Sequence, residues 1–173
     1  MLERPLAAVV GSRRASAKEL RLAGRLGRTF EAKGIAGVSG GALGIDGAFQ
    51  SACPESVAVL GCGIDRIYPR AHEDLFRLLL KRGGLLSEFP LGAPPVGAHI
   101  PRRNRIIASL GSFLAVISAG KRSGALITLD FALDLGRDVY LGRELLESGL
   151  AVGFSLEELE ACLKALPDAA DRG

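Results

Sequence analysis

Short apolar runs that stop at glycine alternate with helical patterns from one end of the chain to the other. Leu6 to Val10 lies between Pro5 and Gly11, Ile35 to Val38 runs into Ser39-Gly40-Gly41, and Val57 to Leu60 stops at Gly61-Cys62-Gly63. Leu85 to Phe89, Phe113 to Ser118 and Asp138 to Leu141 are read as further strands. Runs this short and this continuously apolar suit strands buried on both faces. Between them the spacing turns helical. Ser16-Ala17-Lys18-Glu19 is a capping box that opens a helix with Leu22, Leu26 and Phe30 on one face and Gly34 at its end. Helices are predicted over 44–53, 74–81, 102–110 (with Pro101 in the first turn) and 124–135. A second capping box, Ser155-Leu156-Glu157-Glu158, opens the last helix. Phe154 and Leu159 stand there as a hydrophobic staple, and Leu163 and Leu166 continue the face.

Strands that alternate with helices pair in parallel through crossover connections. The prediction is therefore an α/β fold with a single doubly wound, mainly parallel sheet and helices on both faces. With 173 residues the chain suits one core, read as a domain over 1–167 followed by a flexible tail over 168–173. The last helix is expected to cover the sheet edge.

Three cysteines (Cys53, Cys62, Cys162), none in a C-x-x-C pair, and only two histidines argue against a disulfide framework and a zinc site. No metal or cofactor is expected. The segment Met1 to Pro5 carries Glu3 and no apolar signal core, and no apolar run reaches the length of a membrane span. A cytoplasmic protein with no membrane attachment is the expectation. The net charge of +3 is compatible with nucleic acid without requiring it.

In such sheets ligands bind beyond the carboxyl ends of the strands, and the glycines collect there. Gly11, Gly40-Gly41, Gly61 and Gly63 follow successive strands, and Gly120 and Gly124 flank the turn after the Phe113 run. Glycine lets backbone N–H groups approach an anion, and the following helix start adds partial positive charge. Arg13 and Arg14, Arg66 and Arg70, and Lys121 and Arg122 share these turns, and Arg102, Arg103 and Arg105 crowd one helix start against the dipole. An anion-binding rim accounts for that crowding; ion pairing with Glu88 is the bland alternative. Tyr68 and Phe89 could stack a base or plug the core. His99 reads as an exposed loop residue beside the arginines, and His72 as an early residue of a surface helix. Neither G-x-G-x-x-G after the first strand nor G-x-x-x-x-G-K-[ST] is present, which weighs against NAD binding and P-loop hydrolysis.

Taken together, the motifs resemble a known family. Val9-Val10-Gly11-Ser12-Arg13, Ser39-Gly40-Gly41-Ala42-Leu43-Gly44-Ile45-Asp46, Val59-Leu60-Gly61-Cys62-Gly63-Ile64-Asp65 with Tyr68-Pro69, and Leu86-Ser87-Glu88-Phe89-Pro90 look like the DNA-processing protein A (DprA/Smf) family. So do Pro101-Arg102-Arg103-Asn104-Arg105, Ser123-Gly124-Ala125-Leu126-Ile127-Thr128 and Gly136-Arg137-Asp138-Val139, all in the family's order between residues 6 and 140. The resemblance implies an extended Rossmann-like fold that binds single-stranded DNA without sequence preference, as a homodimer that delivers the strand to the RecA recombinase in natural transformation. By motif match the DNA- or phosphate-binding residues are Gly11, Ser12, Arg13, Ser39, Gly40 and Gly41. Arg70, Arg103, Asn104, Arg105, Lys121, Ser123 and Gly124 complete the set. None is assigned a catalytic role. The sequence departs from the family at Gln50 (usually histidine), at Ile100 (usually phenylalanine), and after Tyr140, where a Pro-Gly and a long loop are missing. It is also read as the core alone, without the helical domain that often precedes it or the winged helix that often follows. A second reading is a nucleotide-binding enzyme or sensor of the wider Rossmann-like N-glycosidic hydrolase group, with Glu88 or Asp46 as acid or base. The P-G-G-x-G-T signature of that group is absent.

Overall fold

The computed structural model describes residues 6–149 and 152–169. The first half of the chain folds as β1 (Leu6–Val10), α1 (Ala17–Lys33), β2 (Ala36–Ser39), α2 (Ile45–Ala52), β3 (Val57–Leu60), α3 (Glu73–Arg82) and β4 (Gly84–Ser87). The second half adds α4 (His99–Leu110), β5 (Phe113–Val116), α5 (Gly124–Asp134), β6 (Asp138–Leu141), α6 (Arg143–Glu147), β7 (Phe154–Ser155) and α7 (Leu156–Ala165). The described strands form one sheet in the order β4-β3-β2-β1-β5-β6-β7, parallel throughout rather than only mainly so. The chain runs outward from β1 to β4, then crosses back through α4 to lay β5 on the other side of β1. Strand order therefore reverses between β1 and β5, and that is where a sheet of this kind opens a crevice.

β1 shows why both faces are covered. All five of its residues are buried. Ala7 and Val9 pack with α1, α2 and α7, where Phe30 and Phe49 meet edge to face at 5.5 Å. Ala8 and Val10 pack with Ile107 and Ala108 of α4 and Leu129 and Ala132 of α5. Farther out, α3 covers Ala58 and Leu60 of β3 with Leu75, Phe76 and Leu79. Burying each of the larger of these side chains contributes about 1.5–3 kcal/mol. Both capping boxes form, at Ser16 with Glu19 and at Ser155 with Glu158.

Several details differ from the sequence reading. β4 ends at Ser87, not Phe89, because the Ser87 hydroxyl takes over the local bonding: it accepts from Phe89 N at 3.0 Å and donates to Cys62 O at 2.6 Å. α4 begins at His99, so Pro101 is its third residue, where a missing N–H costs nothing. A 3-10 turn at Arg70–His72, the five-residue α6 and the two-residue β7 are too short to leave a period in the sequence. Phe154 is a β7 residue whose ring centroid lies 5.5 Å from that of Tyr140. α7 covers a face of the sheet beside α1, through Leu156, Leu159 and Leu163, while Leu166 caps it half-exposed. Of the tail, Asp168 is held 2.8 Å from Lys33 Nζ, and residues 170–173 lie outside the described residues. Among the described residues no helix is long and apolar enough to cross a membrane.

Candidate functional site

At the β1/β5 junction the strand ends diverge around a cleft of about 560 Å³, within the range of ligand pockets. The turns after β1 and after β5 form two sides, and Pro95, Val96 and Gly97 form a wall. Ile100, Asn104 and Ile107 of α4, with Thr128 of α5, line its interior.

The two rim turns carry unused donors. After β1, Ser12 holds the turn locally: its hydroxyl accepts from Arg14 N at 3.1 Å and its carbonyl from Ile45 N at 3.2 Å. Gly11 is glycine because Ile45 of α2 fills the space a Cβ would take. After β5, Ser123 caps α5 by accepting from Ala125 N at 3.3 Å. A Cβ on Gly120 would meet nothing within 4 Å, and one on Gly124 only Asn104 Nδ2 at 3.9 Å. The backbone N–H groups of Ser12, Arg13, Lys121 and Arg122 find no acceptor among the described residues. Arg13, Arg14, Lys121 and Arg122 are exposed and form no ion pair there. Free amides, free guanidinium groups and the start of α5 converge on one opening, an arrangement suited to phosphate.

The turn after β2 is built differently. Gly40 N and Ala42 N donate to Asp46 Oδ2 at 3.1 and 3.4 Å, and Gly41 N donates to Gln50 Oε1 at 3.0 Å. Gln50 Nε2 in turn donates to Val57 O at 3.1 Å, and the Ser39 hydroxyl to Val9 O at 2.6 Å. His72, expected on a surface helix, sits in the 3-10 turn with Nδ1 3.0 Å from Gly41 O. Gly40 is glycine because the Arg103 guanidinium occupies the place of its Cβ. Ser39, Gly40 and Gly41 therefore turn their polar groups inward. Burial pushes the Asp46 carboxyl up, against the pull of the Arg103 charge and the Gly40 and Ala42 amides. Burial lowers the Arg103 guanidinium in turn, although an arginine so far above neutrality stays charged.

The motif Arg102-Arg103-Asn104-Arg105 is split by the helix. Arg103 is only 4% exposed and donates from Nη1 to Val59 O at 2.5 Å; its buried Nε has no protein partner. One edge of it lines the cleft, beside Asn104, whose Nδ2 ties α4 to Gly124 O at 3.0 Å. Arg105 does not line the cleft. It lies 2.5 Å from Glu88 Oε2, with Arg102 Nε at 3.5 Å from the same oxygen. These arginines are the fourth, fifth and seventh residues of α4, and its geometry buries one and sets the other two around the single charge of Glu88. His99 is a helix residue, not a loop one: its ring stacks on Phe89 at 4.0 Å, and its Nδ1 lies 3.2 Å from Gly61 O. Arg70 and Lys121 are exposed and line neither described cavity, and Arg122 stands in the cleft where Lys121 was expected. Arg14, also in the lining, lacks a distinctive sequence signal beyond its neighbour Arg13. A side cavity of about 70 Å³ adjoins between Gly40 and Gly61, and Tyr68 lines both.

Comparison with known proteins gives a consistent result. The family model described as DNA recombination-mediator protein A matches residues 1–168. Protein Smf of Escherichia coli (strain K12) is 44% identical over 138 residues, covering 77% of this chain and 37% of that protein. DNA processing protein DprA of Streptococcus pneumoniae is 38% identical over 144 residues, covering 81% of this chain and 51% of that protein. The chain thus spans less than two thirds of the curated relatives it matches. A structure solved for the unique single-stranded DNA binding mode of DNA processing protein A from Helicobacter pylori superposes with a TM-score of 0.85 at 27% identity, over 96% of this chain and 84% of that one.

Proposed function

Since the chain belongs to the DNA recombination-mediator protein A family, we propose that it binds single-stranded DNA without regard to sequence, through the cleft between β1 and β5. The observation that carries this is the pairing of unused backbone N–H groups with unpaired arginines on the two turns that border the cleft. Arg13 and Arg122 take phosphates there, with Ser12 and the start of α5. The backbone is common to all sequences, so contacts of this kind do not discriminate between them. Asn104 fixes the α5 turn, and Arg103 with Ser39, Gly40 and Gly41 forms the buried wall behind it. In the same reading a homodimer delivers the strand to the RecA recombinase, and the chain works by binding rather than by chemistry. Two features support binding over hydrolysis: Glu88 lies outside the cleft on two arginines, and Asp46 is engaged by two amides.

Fluorescence anisotropy of a labelled oligo-dT, with an equal-length duplex as control, tests the reading across a salt series. The strand should bind much more tightly than the duplex. Its log affinity should fall with log salt by about 0.7 per phosphate neutralised. Equal binding of strand and duplex, or none at low salt, would contradict the proposal.

A further inference from the structure

We infer that the loop after β3 is a second contact for the same strand: Ile64, Arg66 and Ile67, with Tyr68, carry single-stranded DNA onward from the cleft across the carboxyl edge of the sheet. The inference rests on the reading above and extends it to a surface outside the cleft. Ile64, Ile67 and Tyr68 are 45%, 43% and 46% exposed, and Arg66 between them is exposed without an ion pair among the described residues. Several cations remote from this edge are neutralised: Arg25 by Glu160, Arg77 by Glu73, Arg82 by Glu31 and Arg143 by Glu157.

Looseness does not explain the exposed apolar side chains. Gly63 N donates to Ala93 O at 2.9 Å, Arg66 N donates to Gly63 O at 2.9 Å, and Gly92 N donates to the Asp65 carboxylate at 2.8 Å. The loop is held as a rigid lip, with the one acid in it already engaged. Tyr68 belongs to this lip and lines the cleft as well, so the two surfaces are continuous. An exposed guanidinium beside an exposed aromatic ring is the chemistry of a single-strand track, with phosphate on Arg66 and a base stacked on Tyr68, while Ile64 and Ile67 add apolar contact to the neighbouring bases and sugars. Three inter-strand steps separate β5 from β3. At about 4.8 Å each they span about 14 Å, or about four stacked nucleotides at about 3.4 Å. The cleft alone covers the first part of that length.

The test compares wild type with the triple variant Ile64→Ser/Arg66→Gln/Ile67→Ser, using oligo-dT of about 3 and about 12 nucleotides and thermal melting as a check on folding. The inference expects the variant to bind the longer strand about tenfold more weakly and the shorter one as wild type does. Its salt slope on the longer strand should be smaller by about 0.7, one phosphate contact. Unchanged affinity at both lengths would overturn the inference alone and return the apolar lip to a protein partner. An equal loss at both lengths would overturn it too, because the loop would then merely support the cleft. Wild type that binds neither strand would overturn the proposed function along with it.

Discussion

The turn after β2 reads Ser39-Gly40-Gly41-Ala42, and the turn after β5 reads Gly120-Lys121-Arg122-Ser123-Gly124. In the first, the amides of Gly40, Gly41 and Ala42 are all consumed by Asp46 and Gln50, and Arg103 fills the space beside Gly40. In the second, the amides of Lys121 and Arg122 stay unused, and the space beside Gly120 is open. Two turns with the same glycine and serine signal serve opposite ends. One brings an acid from the next helix to satisfy its own donors, and the other leaves its donors for a ligand. What separates them is the side chain that follows: Asp46, six residues after Gly40, reaches back as a carboxylate, and α5 has no such residue in its first turn.

Arg103→Met should break the β2 side of this comparison most strongly. It removes the cation that favours the buried Asp46 carboxylate and the donor to Val59 O, and about 3 kcal/mol should be lost in urea denaturation. Gly40→Ala is the next largest. The new methyl must displace the Arg103 guanidinium, and about 1–3 kcal/mol of stability should be lost. A Gly40→Ala protein as stable as wild type would mean the turn is not scaffold.

The β5 side should behave in the reverse manner. Arg122→Gln and Arg13→Gln should each weaken oligo-dT binding about tenfold, about 1.4 kcal/mol, with a salt slope smaller by about 0.7 and an unchanged denaturation midpoint. Arg105→Gln should leave binding intact and cost less than about 1 kcal/mol, because it removes a half-exposed ion pair with Glu88. Loss of DNA binding in Arg105→Gln would place the strand on the far side of α4 from the cleft. Smallest of all, Gly120→Ala should shift stability by no more than about 0.5 kcal/mol. Set beside Gly40→Ala, it is the same chemical change in two turns with different neighbours.

Much of this was legible in the sequence, because much of it is local. The glycine-stopped apolar runs became strands, and both capping boxes, Ser16 with Glu19 and Ser155 with Glu158, close within four residues. Alternation of strands and helices made the ligand edge readable, at the carboxyl ends of parallel strands, but not the strand order that opens the cleft between β1 and β5. The fates of individual glycines and arginines were not local. Gly40 is decided by Arg103, brought back by the α4 crossover, and Arg105 by Glu88, 17 residues earlier on the far side of a proline-rich loop. The motif Arg102-Arg103-Asn104-Arg105 reads as one basic cluster in one dimension, but helical geometry sends its members to a wall, a tether and a surface ion pair. Ile64 and Ile67 carried no signal either, since an apolar residue near a strand end reads as core until its exposure is seen.

Residue-resolved amide hydrogen exchange, with and without oligo-dT, tests the division between the two turns most directly. The account predicts that Gly40, Gly41 and Ala42 exchange slowly in the free protein and are unmoved by DNA. Ser12, Arg13, Lys121 and Arg122 should exchange fast in the free protein and slow down when the strand binds. Protection that arises on DNA addition at Gly40 to Ala42, with the β1 and β5 turns unaffected, would contradict it and put the strand over β2 instead.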